Sequence, residues 1–129
     1  MANPAPGYLE HPQHRVAIQH STTEISVHLG EFELARSTNA LYVEESRHQP
    51  VWYLPLSDIQ SAYLKPTSTE TYCPFKGYAN YWSIETPTDT ITDGLWGYQA
   101  PYDECLTLAN YAAFYSTKVD IQVHNQSPD

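Results

Sequence analysis

The chain has 129 residues, a length that fits one domain. Its 15 acidic residues against 6 Lys and Arg give a formal net charge of −9, which disfavours broad binding to nucleic acids or to anionic membrane surfaces. Hydrophobic residues make up 41% of the chain and aromatic residues 13%, which is enough for a packed core and excludes wholesale disorder.

The two ends of the chain are expected to be less ordered than its middle. Residues 1–14 are rich in proline and lack both the basic start and the apolar stretch of a secretory signal, so we expect a flexible arm there. Residues 125–129 are expected to be a frayed tail. Because we find no signal segment, we expect a cytoplasmic protein whose cysteines are reduced. The alternative is a single disulfide between Cys73 and Cys105. No run approaches the roughly 20 apolar residues of a membrane span.

Between these ends, residues 15–124 read as a single β-rich domain. Apolar residues alternate with polar ones from Arg15 onwards, as they do in half-buried strands. Gly30 predicts a hairpin turn, and the stretch 56–64 is ambiguous between a short helical turn and other structure. Strands are predicted at residues 16–18, 25–29, 32–34, 41–43, 51–54, 78–86, 90–98 and 119–123.

One helix is predicted, near the C-terminus. Asp103 and Glu104 follow Pro101, where acidic groups favour the start of a helix. Apolar residues then recur at helical spacing, at Cys105, Leu108, Ala112 and Tyr115. The fold class is therefore mainly β with one C-terminal α-helix.

Residues 71–82 form the densest polar and aromatic segment. Pro74 and Gly77 predict a tight loop that holds Cys73 and Lys76 at its rim, where the lysine can meet an anionic ligand. The same string is compatible with a structural turn around a buried, inert cysteine. Cys73, Lys76 and Glu44 are the candidate catalytic residues. The acidic residues considered as partners of Lys76 are Glu44, Glu45, Asp58, Asp93 and Asp103.

Aromatic residues suggest a pocket, and an aromatic core is the alternative. Trp96 and Tyr98 are separated by one glycine, so both rings lie on the same strand face. Metal binding is not expected, because the six histidines are scattered and no Cys-x-x-Cys pair or His-Glu-x-x-His motif is present. No cofactor is predicted either. The aromatic candidates are Tyr53, Tyr81, Trp82, Trp96 and Tyr98.

The central segment resembles the signature of a known family, the small β-rich proteins grouped as domain of unknown function 427 under a nucleotidyltransferase-like label. Residues 34–37, 53–59, 96–101 and 112–115 continue the resemblance, which covers about residues 16–123. The signature reads here Thr71-x-Cys73-Pro74-x-Lys76-Gly77-x-Ala79-x-Tyr81-Trp82-Ser83.

The resemblance implies a β-tent-like arrangement, in which two antiparallel sheets meet at an angle. Many β-tent proteins carry a structural zinc on four cysteines, but this chain has two, so the resemblance implies a domain without that zinc. It also implies that Cys73, Lys76, Tyr81 and Trp82 line a site.

These observations lead to a small-molecule-binding domain, with no reaction identified. We expect a small anionic or aromatic ligand, no long nucleic acid and no membrane as partners. The alternative is a protein-interaction module that binds a peptide or a modified side chain in an aromatic cage. A third hypothesis is thiol chemistry at Cys73. The expected ligand-binding residues are Arg36, Tyr53, Cys73, Lys76, Tyr81, Trp82, Trp96 and Tyr98.

Overall fold

Strands dominate the computed structural model, which describes residues 2–124. The frayed tail predicted at residues 125–129 lies outside the described residues. The one α-helix in this range, α1, spans Gly7–Glu10, and 3₁₀ helices cover Leu56–Asp58, Ser61–Tyr63 and Asp103–Leu108. The strands are β1 (Val16–His20), β2 (Glu24–Leu29), β3 (Phe32–Ser37), β4 (Leu41–Glu45), β5 (Val51–Pro55), β6 (Leu64–Cys73), β7 (Gly77–Glu85), β8 (Thr90–Gly97), β9 (Tyr111–Phe114) and β10 (Asp120–His124).

The strands form two antiparallel sheets, as the mainly β prediction requires. The large sheet has the order β1-β4-β5-β9-β8-β7-β6, and the small sheet has the order β10-β2-β3. The hairpin predicted at Gly30 is confirmed, because Leu29 pairs with Phe32 across a two-residue turn. Gly30 adopts a φ of 59°, a left-handed conformation that glycine reaches without steric cost. None of the helices within residues 2–124 is long and apolar enough to cross a membrane.

The large sheet carries a hydrophobic core on each face. Successive side chains of a strand point to opposite faces, so Leu54 packs into the core between the two sheets while Tyr53 packs into the other. Ala112 and Ala113 divide in the same way on β9. The second core, on the face away from the small sheet, contains Leu41, Val43, Tyr53, Ala79, Tyr98, Cys105, Leu108 and Ala113.

The predicted C-terminal helix is wrong. Residues Asp103–Leu108 form a 3₁₀ helix only, Asn110 then takes a left-handed backbone (φ 68°), and Tyr111–Phe114 becomes a strand. Strand β9 lies between β5 and β8, so both of its edges find hydrogen-bonding partners. Tertiary pairing therefore outweighs the helical propensity of its alanines.

Strand β6 has no counterpart among the predicted strands. Within residues 2–124 it is the last strand of the large sheet and pairs with β7 alone, and most of its side chains are exposed. An edge strand that buries neither face carries no alternation of apolar and polar residues. This explains why the polar run 65–71 gave no strand signal.

The N-terminal arm, for which flexibility is expected, packs against the domain. Gly7 is buried and its N–H donates to the carbonyl of Pro74 at 3.0 Å. The N–H of Asn3 donates to the Asp103 carboxylate at 2.7 Å, and the Asp103 N–H donates back to the Asn3 carbonyl at 3.0 Å. These polar partners and the apolar surface of Phe75 hold the described part of the arm, residues 2–14, in place.

Candidate functional site

An ion pair between Lys76 and Glu45 lies at the centre of the site. Lys76 comes from the turn between β6 and β7, and Glu45 ends β4. Their side chains are 8% and 10% exposed, which is unusual for charged residues. Because β4 is the second strand of the large sheet and β7 the sixth, the pair forms only if the sheet curls its two ends towards each other.

The backbone around Lys76 is fixed from both sides. Its N–H donates to the Cys73 carbonyl at 3.3 Å, and its own carbonyl accepts from the Tyr102 N–H at 3.0 Å. Gly77 follows with a φ of 120°, which side-chain-bearing residues rarely adopt. The tight loop predicted from Pro74 and Gly77 is therefore confirmed, and it aims the Lys76 side chain inward.

The Glu45 carboxylate is held by both of its oxygens. One oxygen accepts from Lys76, and the other lies 2.8 Å from Nε2 of His14, which must donate because an ionised carboxylate can only accept. The His48 ring lies 4.0 Å away. Burial alone would raise the pKa of Glu45, but the hydrogen bond and charge of Lys76, the hydrogen bond of His14 and the charge of His48 outweigh it and lower the pKa. The site therefore holds an ionised carboxylate at neutral pH.

A cavity of about 330 Å³ opens beside this ion pair. Trp96 donates its indole N–H to the Tyr53 hydroxyl at 3.2 Å, and the Lys76 ammonium lies 5.8 Å from the centre of the Tyr98 ring. Burial raises the pKa of both tyrosines well above the ordinary value, so their hydroxyls stay neutral. The lining residues are Val43, Glu45, His48, Gln49, Val51, Tyr53, Lys76, Trp96 and Tyr98.

This arrangement offers a ligand a small set of well-defined groups. The Lys76 ammonium has three N–H donors, of which Glu45 takes one. The Glu45 carboxylate accepts hydrogen bonds, and the aromatic rings provide apolar walls. The Lys76 N–H groups that Glu45 leaves free and the aromatic walls together suit a ligand with one polar or anionic group on a planar body. No cluster of three or more His, Cys, Asp or Glu side chains within residues 2–124 is arranged to hold a metal.

Four of the predicted ligand-binding residues line this cavity together, namely Tyr53, Lys76, Trp96 and Tyr98. Cys73 is partly buried against the second core and does not line the cavity. The other thiol, Cys105, is fully buried, and burial raises its pKa to about 11. Both cysteines are free.

The remaining predicted residues lie elsewhere. Arg36 is on β3 of the small sheet, 46% exposed, and pairs with Glu24 and Glu33. Trp82 packs into the core between the two sheets. The Tyr81 hydroxyl hydrogen-bonds to that of Thr71 at 2.9 Å, outside the cavity lining.

The carboxylate beside Lys76 is Glu45 and not the predicted Glu44. Glu44 points to the exposed face of β4, whereas Glu45 shares the inner face with Leu41 and Val43. Strand alternation alone contained this signal, because residues two apart share a face. His14 and His48 are also absent from the predicted site residues. They approach Glu45 from the arm and from a loop, and no local pattern in the sequence reports such an approach.

Comparison with known proteins identifies the family of this chain. A family model described as domain of unknown function (DUF427) matches residues 17–125, which is most of the chain. The comparison with curated proteins gave no match.

Proposed function

The chain belongs to the family described as domain of unknown function 427, and within that family we propose that it binds a small anionic or aromatic ligand in the Lys76 cavity. One observation carries the proposal: a nearly buried ion pair lines a cavity whose other walls include three aromatic rings. Removing two charges from water is costly, and apolar residues of similar volume usually serve stability as well or better. A charged pair kept at the wall of a cavity therefore favours a binding role.

The groups around the cavity suggest how such a ligand is held. A carboxylate or phosphate oxygen accepts from the Lys76 N–H groups that Glu45 leaves free. A ring or other planar group packs against Trp96 and Tyr98. At about 330 Å³ the cavity is near the lower end of small-molecule sites, so the ligand is small. Cys73 lies outside the lining, so the proposal is binding rather than thiol chemistry.

A thermal-shift screen of nucleotides, sugar phosphates and aromatic carboxylates tests this function. A ligand of the cavity raises the melting temperature by mass action in the wild type and loses most of that effect in Lys76→Met. Lys65→Met is the matched control, because Lys65 is exposed and pairs with Glu85 on the surface. The proposal fails if no compound stabilises the wild type, or if Lys76→Met and the control respond alike.

A protein-interaction module is the second proposal. Tyr72 and Tyr78 are exposed, form a cross-strand pair with ring centres 4.8 Å apart, and lie on the hairpin that ends the large sheet. Exposed aromatic residues at a free sheet edge favour an extended peptide as partner. A Tyr72→Ser variant that loses a protein partner while the ligand response stays intact supports this second proposal. Its aromatic-cage form, reading a cationic side chain, is less favoured, because Lys76 already lies near the Tyr98 ring.

We also infer a β-tent-like relationship and a cytoplasmic location. A small and a large antiparallel sheet that share one core support the first. Two free cysteines support the second, since reduced thiols are typical of a reducing compartment. An experimental structure superposed on a β-tent protein, and cell fractionation, test these two proposals.

A further inference from the structure

The Lys and Arg side chains of this acidic protein differ in whether they have an acidic or aromatic partner. Four of the six Lys and Arg residues have a partner: Lys76 pairs with Glu45, Arg36 with Glu24 and Glu33, Lys65 with Glu85, and the Lys118 ammonium lies 4.7 Å from the Tyr115 ring centre. Arg15 and Arg47 form no ion pair with any residue in the described range 2–124. Among the described residues, two guanidinium groups therefore have no carboxylate partner, although the net charge of the chain is −9.

Both free arginines border the same surface groove, which we call the arm groove. Its larger part has a volume of about 630 Å³ and is lined by Glu10, His11, His14, Ser46, Arg47 and Phe75, together with Pro12 and Gln13. Its second part, about 570 Å³, is lined by Pro12, Gln13, His14 and Arg15. The two parts share Pro12, Gln13 and His14, so they adjoin each other along the N-terminal arm.

A hydrogen-bonded contact brings the two arginines to this groove. The Arg15 N–H donates to the Ser46 hydroxyl at 2.9 Å, and the Ser46 N–H donates to the Arg15 carbonyl at 2.9 Å. Arg47 follows Ser46 and adopts a left-handed backbone, φ 66°, in which the Cβ atom crowds the following carbonyl oxygen. Glycine or asparagine would adopt this backbone at lower cost.

We propose that the arm groove binds a phosphate-type dianion. Two guanidinium forks match the oxygen geometry of phosphate, and the imidazoles of His11 and His14 lie along the same groove. Glu10 is the one carboxylate among the described lining residues, and the two arginines outnumber it, so the lining keeps a positive charge that attracts a dianion more strongly than a monoanion. The site goes beyond the function proposed for the aromatic cavity and does not depend on it.

The test is titration calorimetry of the full chain with inorganic phosphate and pyrophosphate. Wild type binds both probes, and affinity falls as salt is added. Arg15→Gln and Arg47→Gln each weaken binding about tenfold, the expected loss of one charge-assisted contact. Lys65→Gln removes the same charge from the opposite edge of the large sheet and changes affinity less than about twofold. Thermal unfolding of each variant verifies that it is folded.

A Lys76→Met variant separates this site from the aromatic cavity. Unchanged phosphate affinity in that variant supports the arm groove. The proposal is overturned if the wild type binds neither probe at millimolar concentration, or if Lys65→Gln weakens binding as much as Arg47→Gln. It is also overturned if Lys76→Met abolishes binding that both arginine variants retain, because the anion then lies in the cavity.

Discussion

Glu45 connects three parts of the chain through one carboxylate. Lys76 from the β6–β7 turn occupies one oxygen and His14 from the N-terminal arm the other. The His14 ring stacks on Phe75 at a centroid distance of 3.8 Å, so arm and turn also meet through apolar contact. A substitution at this carboxylate therefore affects both the site and the attachment of the arm.

Replacing this carboxylate tests the ion pair directly. Glu45→Gln leaves the nearly buried Lys76 charge without its counter-ion and is expected to lower the free energy of unfolding at pH 7 by about 3 kcal/mol. Glu44→Gln, at the exposed neighbouring position, is the control and changes it by less than about 0.5 kcal/mol. Urea denaturation measures both variants, and equal effects would contradict the assigned roles.

The stabilisation by Glu45 has a defined pH dependence. Its pKa is lowered in the folded state, so its contribution is complete above the unfolded value of about 4.3 and disappears as pH falls through the lower folded value. The difference between wild type and Glu45→Gln should therefore shrink in acid. Repeating the urea titrations between neutral pH and pH of about 3 measures this, and a difference that grows in acid would contradict the assignment.

At the scale of elements, pairing partners decide between helix and strand. Residues 111–114 contain two alanines and lie within a helical apolar pattern, yet they form strand β9. Without β9, the neighbouring strands β5 and β8 would each have one unpaired edge. The left-handed Asn110 marks the switch from the 3₁₀ helix to the strand. A sequence window of this length contains no information about the edges of β5 and β8, and that is why the helix prediction failed there.

The sign of one substitution distinguishes strand from helix. Asn110→Ala should destabilise the domain by about 1 kcal/mol, because alanine tolerates a left-handed backbone poorly. In a continuous helix the same change would stabilise it by roughly 0.5 kcal/mol. Thr107→Ala, at an exposed position of the 3₁₀ helix, is the control and should have little effect. Urea denaturation that shows a more stable Asn110→Ala variant would contradict the strand.

The N-terminal arm offers a second test at this scale. A Cβ atom added at Gly7 would lie 2.7 Å from the Phe75 ring, so Gly7→Ala should cost about 1–2 kcal/mol through overpacking. Leu9→Ala is the control on the same arm, because Leu9 is 87% exposed. Melting temperatures compare the two variants. An arm that does not pack on the domain would leave both unchanged.

Over the whole molecule, local sequence patterns predicted the alternating strands and the tight loop within residues 71–82. Lys76, Trp96 and Tyr98 were found because loop and strand patterns are local. Glu45 was one of five carboxylates considered beside Lys76, but Glu44 was chosen, and His14 was not predicted as a site residue. Their contacts depend on the curl of a seven-stranded sheet and on the docking of the arm. Arg36 was misplaced for the same reason: its strand belongs to the other sheet.

The three tryptophan indole N–H signals in a ¹H–¹⁵N NMR spectrum distinguish a ligand in the cavity beside Lys76 from a ligand bound elsewhere. Trp96 lines the cavity, whereas Trp52 and Trp82 pack with the core between the sheets. A stabilising anionic or aromatic compound should shift the Trp96 signal selectively, and Lys76→Met should remove the shift. Compounds that shift the Trp52 or Trp82 signal instead, or that shift the Trp96 signal equally in Lys76→Met, would contradict binding in this cavity.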